Sequence, residues 1–519
     1  NIAQVELLDS IRSIVVSMLF AILLLGFFQI IFRDSIRTSL LTMIVVLLFF
    51  SYGHVYQQVM GTWIMGFHIG RHRYLLLFWF IILLLSAFWL RKPREYLHEI
   101  GMTLNITSVV LILIPIIQIG AFEGRSLDLN ASGSSFVESE TPISILENDG
   151  VDHRSAPTDL PDIYYIILDM YTRQDVLENT LKYDNSYFIS QLEGLGFFIA
   201  SCSRSNYDST VLSLGSSLNL DFFQNLIGDD YSPTTSSYSY GSIVKNSRIR
   251  KILESLHYSI ISIESGFSPT QWSNAKFYLT YSKSIAKRAF GSLNPYEAMF
   301  LQTTPGILLY KNYYKLPSVI RIGLDSAYTQ HRERILFELD ELEALVEYPS
   351  PKFVFVHILA PHNPFVFGPN GEFLKRDTLF TLNQDLESDT WPEFIEGYTA
   401  QITYLNSRLL KILNHILLNT KSPPVIIIQG DHGIPKFKNL TGRLAILNAY
   451  YMPKQKTAGL YPSISPVNSF RYLLDTYFGT EYGFLEDLSY VAPVEDLPLD
   501  FDIVPTDDES CPFFGGLDY

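Results

Sequence analysis

Long apolar runs dominate the start of the chain, whereas short apolar and polar blocks alternate after it. Four of the long runs are nearly free of charge and close to the roughly 20 residues that a helix needs to cross a bilayer. They extend over Ile14 to Phe32, Ser39 to Tyr56, Tyr74 to Leu90 and Ile106 to Phe122. The pattern predicts a multi-pass membrane segment over residues 1–125. A signal peptide followed by buried core helices would not produce four such runs.

Lysine and arginine are unevenly distributed among the loops between these runs. The first loop carries Arg33 and Arg37, the third carries Arg91, Lys92 and Arg94, and the second carries Arg71 and Arg73. Because positively charged loops tend to stay in the cytoplasm, loops one and three are predicted to be cytoplasmic. The fourth helix then leads outward. We therefore expect a cell-envelope protein of the cell membrane with an extracytoplasmic C-terminal domain.

The rest of the chain divides into three parts by composition. Residues 126–160 are rich in Ser, Asp and Glu without a long apolar run, which is typical of an exposed linker. Residues 161–485 are long enough to form a globular domain with a substantial core. Residues 486–519 are predicted to be an acidic tail.

Short apolar runs alternate with helical patterns in the predicted domain. The runs cover residues 162–169, 197–201, 259–265, 352–359 and 424–433. Helical segments such as Asn185 to Leu195 and Glu393 to Leu418 separate them. Apolar strands spaced by helices predict an α/β fold in which helices cover both faces of a mostly parallel sheet.

Composition and charge agree with a membrane protein. The 519 residues are 47% hydrophobic and 18% charged, with a net charge of −15. This is too apolar for an ordinary soluble enzyme, and the acidic balance argues against binding to nucleic acid. The two cysteines, Cys202 and Cys511, are equally compatible with one disulfide bond and with two free thiols.

Acidic residues end two of the apolar runs. Asp169 follows the run at 162–168, and Asp431 with His432 follows the run that starts at Pro424. Sites in parallel sheets form at the carboxyl ends of strands, and carboxylates with an imidazole suit Mn²⁺, Zn²⁺ or Mg²⁺. A helix cap or a solvated loop position explains Asp169 equally well. Gly433 permits a close approach of the backbone behind the Asp-His pair.

The segment "SNYDSTVLSLGSSLNL", residues 205–220, has the pattern of a helix N-terminus. A hydroxyl in the first turn, such as Thr210, would lie beside free backbone N–H groups and the positive end of the helix dipole. That position favours a bound phosphoryl group. The alternative is that Ser209 or Thr210 only caps the helix, and spacing alone favours the cap.

The segments "DIYYIILD", "SNYDST", "HILAPHNPF" and "IIIQGDHG" follow one another behind a set of membrane helices. In this arrangement the chain resembles the sulfatase-like branch of the alkaline phosphatase superfamily, most of all the lipoteichoic acid synthases and the phosphoethanolamine transferases. The resemblance covers residues 161–480. It implies an alkaline-phosphatase-like α/β/α sandwich. It also implies one divalent metal ion bound by Asp169, Thr210, Asp431 and His432, with Thr210 as the covalent nucleophile.

The resemblance also places His362 at the substrate-side histidine, where it could donate a proton or a hydrogen bond to the leaving oxygen. A structural histidine in a proline-rich loop is the alternative. His357 lies inside an apolar run and is expected in the core. Arg204 and Arg443 could neutralise phosphate charge, but ion-paired arginines are more common, so both are left out of the catalytic set.

The expected function is a transferase that moves a phospho-substituent of the lipid-headgroup type through a Thr210 intermediate. Its expected partners are the bilayer, a phospholipid or lipid-linked substrate and further proteins in the membrane. Transferases of the family usually have Glu where this chain has Asp169, so a phosphodiesterase or phosphatase of the same fold is one alternative. A non-catalytic membrane subunit is another. Cys202 lacks the following residues that a formylglycine sulfatase needs, which disfavours that chemistry.

Overall fold

The computed structural model describes residues 7–60, 62–64, 67–68, 70–92, 96–138, 160–228, 240–281, 294–311, 315–318, 326–374, 390–437, 440–453, 456–492 and 499–504. Four long helices come first, and an α/β domain with a mostly parallel sheet follows them. This order confirms the fold class predicted from the sequence.

The four helices are α1 (Leu7–Phe32), α2 (Ser35–Val59), α3 (His72–Trp89) and α4 (Tyr96–Glu138). Each contains a stretch long and apolar enough to cross a membrane, namely Ser10–Phe32, Ser35–Val59, His72–Trp89 and Tyr96–Gln118. Large apolar side chains on them, such as Leu23 and Ile30, are exposed, as expected for surfaces that face lipid. The short strands β1 (Trp63–Ile64) and β2 (Phe67–His68) pair between α2 and α3.

Helix α4 runs beyond its apolar stretch into the residues predicted as linker. It ends at Glu138, and residues 139–159 of the predicted linker lie outside the described residues. The first part of that segment is therefore helical. The remainder of the predicted linker stays a prediction.

A seven-stranded sheet forms the centre of the following domain. Its strands, in spatial order, are β4 (Phe198–Ile199), β9 (Asn448–Tyr451), β8 (Val425–Gly430), β3 (Ile163–Leu168), β7 (Lys352–Ile358), β5 (Ser259–Ile263) and β6 (Phe277–Leu279). All neighbouring pairs are parallel except β9 with β4 and with β8. Strand β9 is therefore the one strand of this sheet that runs in the opposite direction, and the short edge strand β4 runs in the direction of the parallel set although it pairs only with β9. Strands β6 and β9 were not predicted.

Helices cover both faces of this sheet. They are α5 (Gln174–Asn179), α6 (Ser186–Gly194), α7 (Thr210–Asn219), α8 (Phe223–Ile227), α9 (Gly241–Lys245), α10 (Arg248–Ser255), α11 (Pro295–Gln302), α12 (Ile307–Lys311), α13 (Ser326–Ala344), α14 (Trp391–Asn419), α15 (Leu440–Leu444) and α16 (Pro466–Phe478). Alternate residues of β3 point to opposite faces. Ile166 packs with α13 and α14, whereas Tyr165 packs with α7 and α16. The central strands are therefore buried on both faces.

Part of the predicted acidic tail packs against the domain. Strands β10 (Ser489–Val491) and β11 (Asp502–Val504) form an antiparallel pair, and Tyr490 N donates to Asn206 O at 2.8 Å. Leu499 is completely buried. The described parts of this segment, residues 486–492 and 499–504, therefore pack against the domain. Residues 505–519, with Cys511, lie outside the described residues.

A buried ion pair joins the beginnings of two central strands. Asp162 precedes β3, and Lys352 is the first residue of β7. The Lys352 Nζ lies 2.6 Å from Asp162 Oδ2, and the two side chains are 1% and 7% exposed. Asp162 also accepts hydrogen bonds from Ser350 Oγ and Lys352 N. Each buried charge is therefore neutralised by the other.

Asp162→Ala would leave the Lys352 ammonium buried without its counter-charge. We expect the free energy of unfolding to fall by about 3–5 kcal/mol, measured by chemical denaturation of the full chain in detergent micelles. The control is Asp340→Ala, whose pair with Arg408 is exposed on the acid side. It should cost less than about 1 kcal/mol. Equal losses in the two variants would contradict the assigned role of the buried pair.

Candidate metal centre

Three neighbouring strands end together at the carboxyl edge of the sheet. In the β3–β7 and β3–β8 pairs, Leu168 lies opposite Ile358 and Gly430. The next residues of β3 and β8 are Asp169 and Asp431, so the register brings two carboxylates side by side. They are only 5% and 1% exposed. Strand β3 is therefore followed by an acid that lies beside a second acid, the one that follows β8.

The turn after β3 is fixed by hydrogen bonds to both sides. Met170 has a φ of 65°, a left-handed conformation that is unusual for a residue other than glycine. Its N–H donates to Asp431 Oδ1 at 3.0 Å, and its carbonyl accepts from the Tyr398 hydroxyl at 2.6 Å. These bonds hold the turn in place. The orientation of Asp169 is thereby tied to that of Asp431.

His432 completes a cluster of three donor groups. Its Nε2 lies 3.7 Å from Asp169 Oδ1 and 3.6 Å from Asp431 Oδ2. Its Nδ1 donates to the Gly433 carbonyl at 2.8 Å, which leaves a lone pair on Nε2 directed at the two acids. One ligand atom from each residue lies within 4.8 Å of the others. Atoms bound to one ion at ~2.0–2.2 Å are at most about 4.4 Å apart, so the cluster needs only a small contraction.

Gly433 lets the backbone behind this cluster pass close to another loop. Its N–H donates to the Arg443 carbonyl at 2.8 Å. A Cβ at this position would lie 2.4 Å from the Gly442 oxygen, which no side chain tolerates. The close approach that the sequence suggested at Gly433 is present in the structure.

The two acids have pKa values displaced in opposite directions. Burial and the negative charge of Asp431 raise the pKa of Asp169 well above its usual value. Burial also raises the pKa of Asp431, but His432, His357 and a hydrogen bond from Thr210 outweigh it, and the net pKa is lowered. Two like charges held this close oppose each other. A bound cation would remove that conflict.

The donor set fits a divalent cation. Among the described residues, Asp169 Oδ1 and Asp431 Oδ2 are buried oxygens without a hydrogen-bond partner. Both face the same imidazole nitrogen. Unpaired buried oxygens are costly unless a ligand satisfies them. Carboxylate oxygens with one imidazole suit Zn²⁺, Mn²⁺ or Mg²⁺.

Thr210 begins α7 beside this cluster. The residue before it, Ser209, is the N-cap, but its side chain makes no capping hydrogen bond. The Thr210 hydroxyl lies close enough to the Asp431 carboxylate to lower the pKa of that acid. Ser209 is therefore not the simple side-chain cap that spacing alone favoured.

His362 lies at the same edge, held through its backbone. Its N–H donates to the Asp169 carbonyl at 3.0 Å, and its Nδ1 donates to the carbonyl of Asn363. Burial in the domain lowers the pKa of His362 to about 4, although the residue keeps partial solvent exposure. The neutral ring then offers a lone pair on Nε2. It presents an acceptor, whereas the family resemblance implied a donor.

Sequence reasoning left His357 out of the candidate site. It is buried in β7, as expected, but its Nε2 lies 3.6 Å from Asp169 Oδ2 and 4.0 Å from Asp431 Oδ2. Opposite Ile167 in the β3–β7 register, it shares the sheet face that α7 covers. The available signal was a polar residue at one of the alternate strand positions that face α7.

The two arginines considered from the sequence lie outside the cluster. Arg443 forms an ion pair with Asp208, two residues before Thr210. Arg204 forms an isolated antiparallel bridge with Ala445 through its backbone. Neither belongs to the group of ligand atoms. The ion-paired outcome that we expected is observed for Arg443.

Removing one donor should abolish tight metal binding. We expect the wild-type chain, loaded with Zn²⁺ or Mn²⁺ and desalted, to retain about one ion per chain by elemental analysis, and Asp431→Asn or His432→Ala to retain almost none. Asp340→Asn, a change to an exposed acid elsewhere, is the control. Metal-free Asp169→Asn should unfold no earlier than metal-free wild type, because burial and Asp431 raise the pKa of Asp169 and so disfavour its charged form. Equal metal content in all variants would refute the site.

No protein-family model matches the sequence, and no curated protein matches it. Among solved structures, the chain is similar to the integral membrane lipooligosaccharide phosphoethanolamine transferase A from Neisseria meningitidis, with 12% identity over 91% of this chain and 84% of that chain and a TM-score of 0.38. The periplasmic domain of a phosphoethanolamine transferase from Campylobacter jejuni has 12% identity, covering 67% and 97%, with a TM-score of 0.39. A lipoteichoic acid synthase from Listeria monocytogenes has 13% identity, covering 68% and 83%, with a TM-score of 0.38.

These structures are of the two kinds of enzyme that the sequence motifs resemble. The likenesses are remote in both sequence identity and TM-score. We therefore base the functional proposal on the residues of the site and on their contacts.

Proposed function

We propose that the chain is a membrane-anchored, metal-dependent transferase that moves a phospho-substituent from a lipid headgroup donor through a phosphothreonine at Thr210. The observation that carries the proposal is the position of the Thr210 hydroxyl beside Asp431, a member of the buried acid and histidine cluster. A hydroxyl at the start of a helix and beside a cation site is well placed to attack a phosphorus atom.

Asp169, Asp431 and His432 would hold the ion, with Thr210 Oγ1 as the fourth donor that the family resemblance implies. When bound, a divalent ion lowers the pKa of the nucleophile and stabilises negative charge on the phosphoryl oxygens. The residues of the chain supply the remaining parts of the reaction.

In the first step, Thr210 Oγ1 forms a bond to phosphorus and the bond from phosphorus to the leaving oxygen breaks. The hydroxyl proton passes to the neighbouring Asp431 carboxylate and from there to the leaving oxygen. The backbone N–H groups in the first turn of α7 face the negative phosphoryl oxygens. The product is a phosphothreonine and a released alcohol.

In the second step, the oxygen of an acceptor hydroxyl attacks the phosphothreonine and the bond from phosphorus to Thr210 Oγ1 breaks. His362 Nε2, a neutral acceptor, takes the proton of the incoming hydroxyl. His362 then passes this proton to Thr210 Oγ1, so both residues return to their starting state. Water in place of the acceptor would make the same site a hydrolase.

Contacts with the membrane helices support a lipid substrate on the outer side. Arg12 of α1 forms an ion pair with Glu297 of α11, and Gly53 N of α2 donates to the Thr303 carbonyl at 2.9 Å. Arg12 is near the start of α1 and Gly53 near the end of α2. These positions share one end of the helix group, opposite the loops that carry the most arginine and lysine. An extracytoplasmic domain follows from that charge bias.

Thr210→Ala should abolish turnover of a phospholipid with a labelled headgroup, because the attacking oxygen is gone. Thr210→Ser should keep a measurable fraction, since its hydroxyl remains but is less restricted in rotation. The matched control is Ser209→Ala, which removes the neighbouring hydroxyl and should leave the rate near wild type. Thermal melting of each variant checks that the fold survives, because a change at a helix start costs about 2 kcal/mol at most.

Label from the donor should accumulate on the Thr210 peptide when acceptor is withheld, and mass spectrometry would identify it. Adding candidate acceptors should release the label into a product other than the hydrolysed headgroup. Release to water at the same rate with or without acceptor would identify a hydrolase. Wild-type turnover in Thr210→Ala would remove the covalent mechanism altogether.

An impermeant thiol reagent tests the membrane orientation. A cysteine introduced at the exposed Lys421 of the domain should be labelled in intact cells, and one at the exposed Lys92 between α3 and α4 should be labelled only after lysis. The unsubstituted chain, in which Cys202 is disulfide-bonded, supplies the background. The reverse labelling pattern would overturn the proposed topology.

A further inference from the structure

His357 contacts the metal centre from the side opposite His432. Its Nε2 lies nearest to Asp169 Oδ2, at 3.6 Å, whereas His432 Nε2 faces Asp169 Oδ1. The two imidazoles therefore address different oxygens of one carboxylate. His357 Nε2 is buried and has no hydrogen-bond partner within the described part of the chain. Its position suits Asp169 Oδ2, here called the outer oxygen, whereas the inner oxygen Oδ1 faces His432 Nε2.

The hydrogen bonds around Thr270 indicate which nitrogen of His357 carries the proton. Thr270 Oγ1 lies 2.9 Å from His357 Nδ1. The Phe267 carbonyl lies 3.1 Å from the Thr270 hydroxyl and 3.3 Å from the Ser265 hydroxyl. Because Ser265 can supply the hydrogen for that carbonyl, Thr270 need not do so. The Thr270 hydroxyl hydrogen is then available to His357 Nδ1. A neutral ring that accepts at Nδ1 carries its proton on Nε2.

The opposite tautomer of His357, with the proton on Nδ1, is electrostatically unfavourable. A neutral ring protonated on Nδ1 would direct an Nε2 lone pair at two carboxylates, Asp169 and Asp431. A doubly protonated ring would again place a proton on Nε2. In both favourable forms Nε2–H faces the acids. This conclusion does not depend on the state of charge of the ring.

Building on the metal centre of the proposed function, we propose that His357 is a positioning residue, whose Nε2–H holds the outer oxygen of Asp169 while the inner oxygen ligates the ion. Thr270 fixes the required tautomer. Hydrogen bonds to ligating carboxylates orient them, and their loss typically weakens metal binding 10–100-fold. The 3.6 Å separation closes to a hydrogen bond with a small movement of the Asp169 carboxylate. Phe267 packs edge-on against the imidazole and keeps the ring in this orientation.

A matched pair of substitutions separates the hydrogen bond from packing. His357→Met fills a similar volume without a donor, whereas His357→Gln keeps an N–H near the place of Nε2. We expect the dissociation constant for Zn²⁺, measured by chelator competition on the full chain in detergent micelles, to rise roughly 10–100-fold in the Met variant and roughly threefold or less in the Gln variant. Equal affinity in wild type and the Met variant would overturn the proposal.

Thr270 provides a second pair that leaves His357 itself intact, in case the substitutions of His357 do not fold. Thr270→Val removes the hydroxyl in nearly the same shape and should weaken Zn²⁺ binding in the same direction. Thr270→Ser keeps the hydroxyl and should match wild type. Loss of affinity in both Thr270 variants, or in neither, would contradict control of the His357 tautomer.

X-ray absorption of the Zn²⁺-loaded chain distinguishes a positioning residue from a direct ligand. We expect one imidazole at the zinc both in wild type and in His357→Met. Two imidazoles in wild type would make His357 a ligand and overturn its assignment as a positioning residue. If wild type binds no ion, the proposed function fails together with this inference. If wild type binds Zn²⁺ and His357→Met binds it equally well, only the inference about His357 fails.

Discussion

The buried juxtaposition of Asp169 and Asp431 is the constraint that the site depends on. Two carboxylates at the ends of adjacent strands, both almost fully buried, repel each other and lack water to disperse their charge. A core would not retain such a pair for stability, since apolar residues of similar size would pack there without cost. The cation of the proposed function would compensate the two negative charges. Three further side chains lie against this pair. His432 and His357 direct a ring nitrogen at the two acids, and Thr210 contributes a hydroxyl beside them.

The register of the sheet determines that Asp169 and Asp431 are neighbours. Parallel strands end at the same edge, and the register of β3 with β8 places Leu168 opposite Gly430. The residues that follow must then be neighbours. Met170 donates to Asp431, which links the turn after one strand to the acid of the next. At the other end of β3 the buried Asp162–Lys352 pair joins it to β7. The same three strands thus hold a neutral ion pair at one edge and an uncompensated acid pair at the other.

The parts of the site that depend on local sequence patterns could be predicted from the sequence. Apolar runs identify β3, β7 and β8, and the acids at strand ends identify Asp169 and Asp431 as candidate ligands. His357 was assigned to the core because its own neighbours are apolar. Its orientation depends on Thr270, which is 87 residues away in the chain. The antiparallel strand β9 begins at Asn448, without a long apolar run, and it depends on pairing with β8 and β4. Local sequence patterns do not show which distant segments pair as strands.

Helix α9 connects the membrane segment to both halves of the site. It packs against α4, against α7 and against the 3₁₀ turn Ser268–Thr270. Gly241 permits the close contact, because a Cβ there would lie 3.2 Å from Pro269 Cβ, and Asn219 at the end of α7 donates to the Ile243 carbonyl at 3.1 Å. The helix that carries Thr210 and the turn that orients His357 therefore meet the same short element. Since that element also touches α4, the nucleophile is held relative to the sheet on one side and to the membrane helices on the other. Such a connection suits a reaction whose donor lies in the lipid layer.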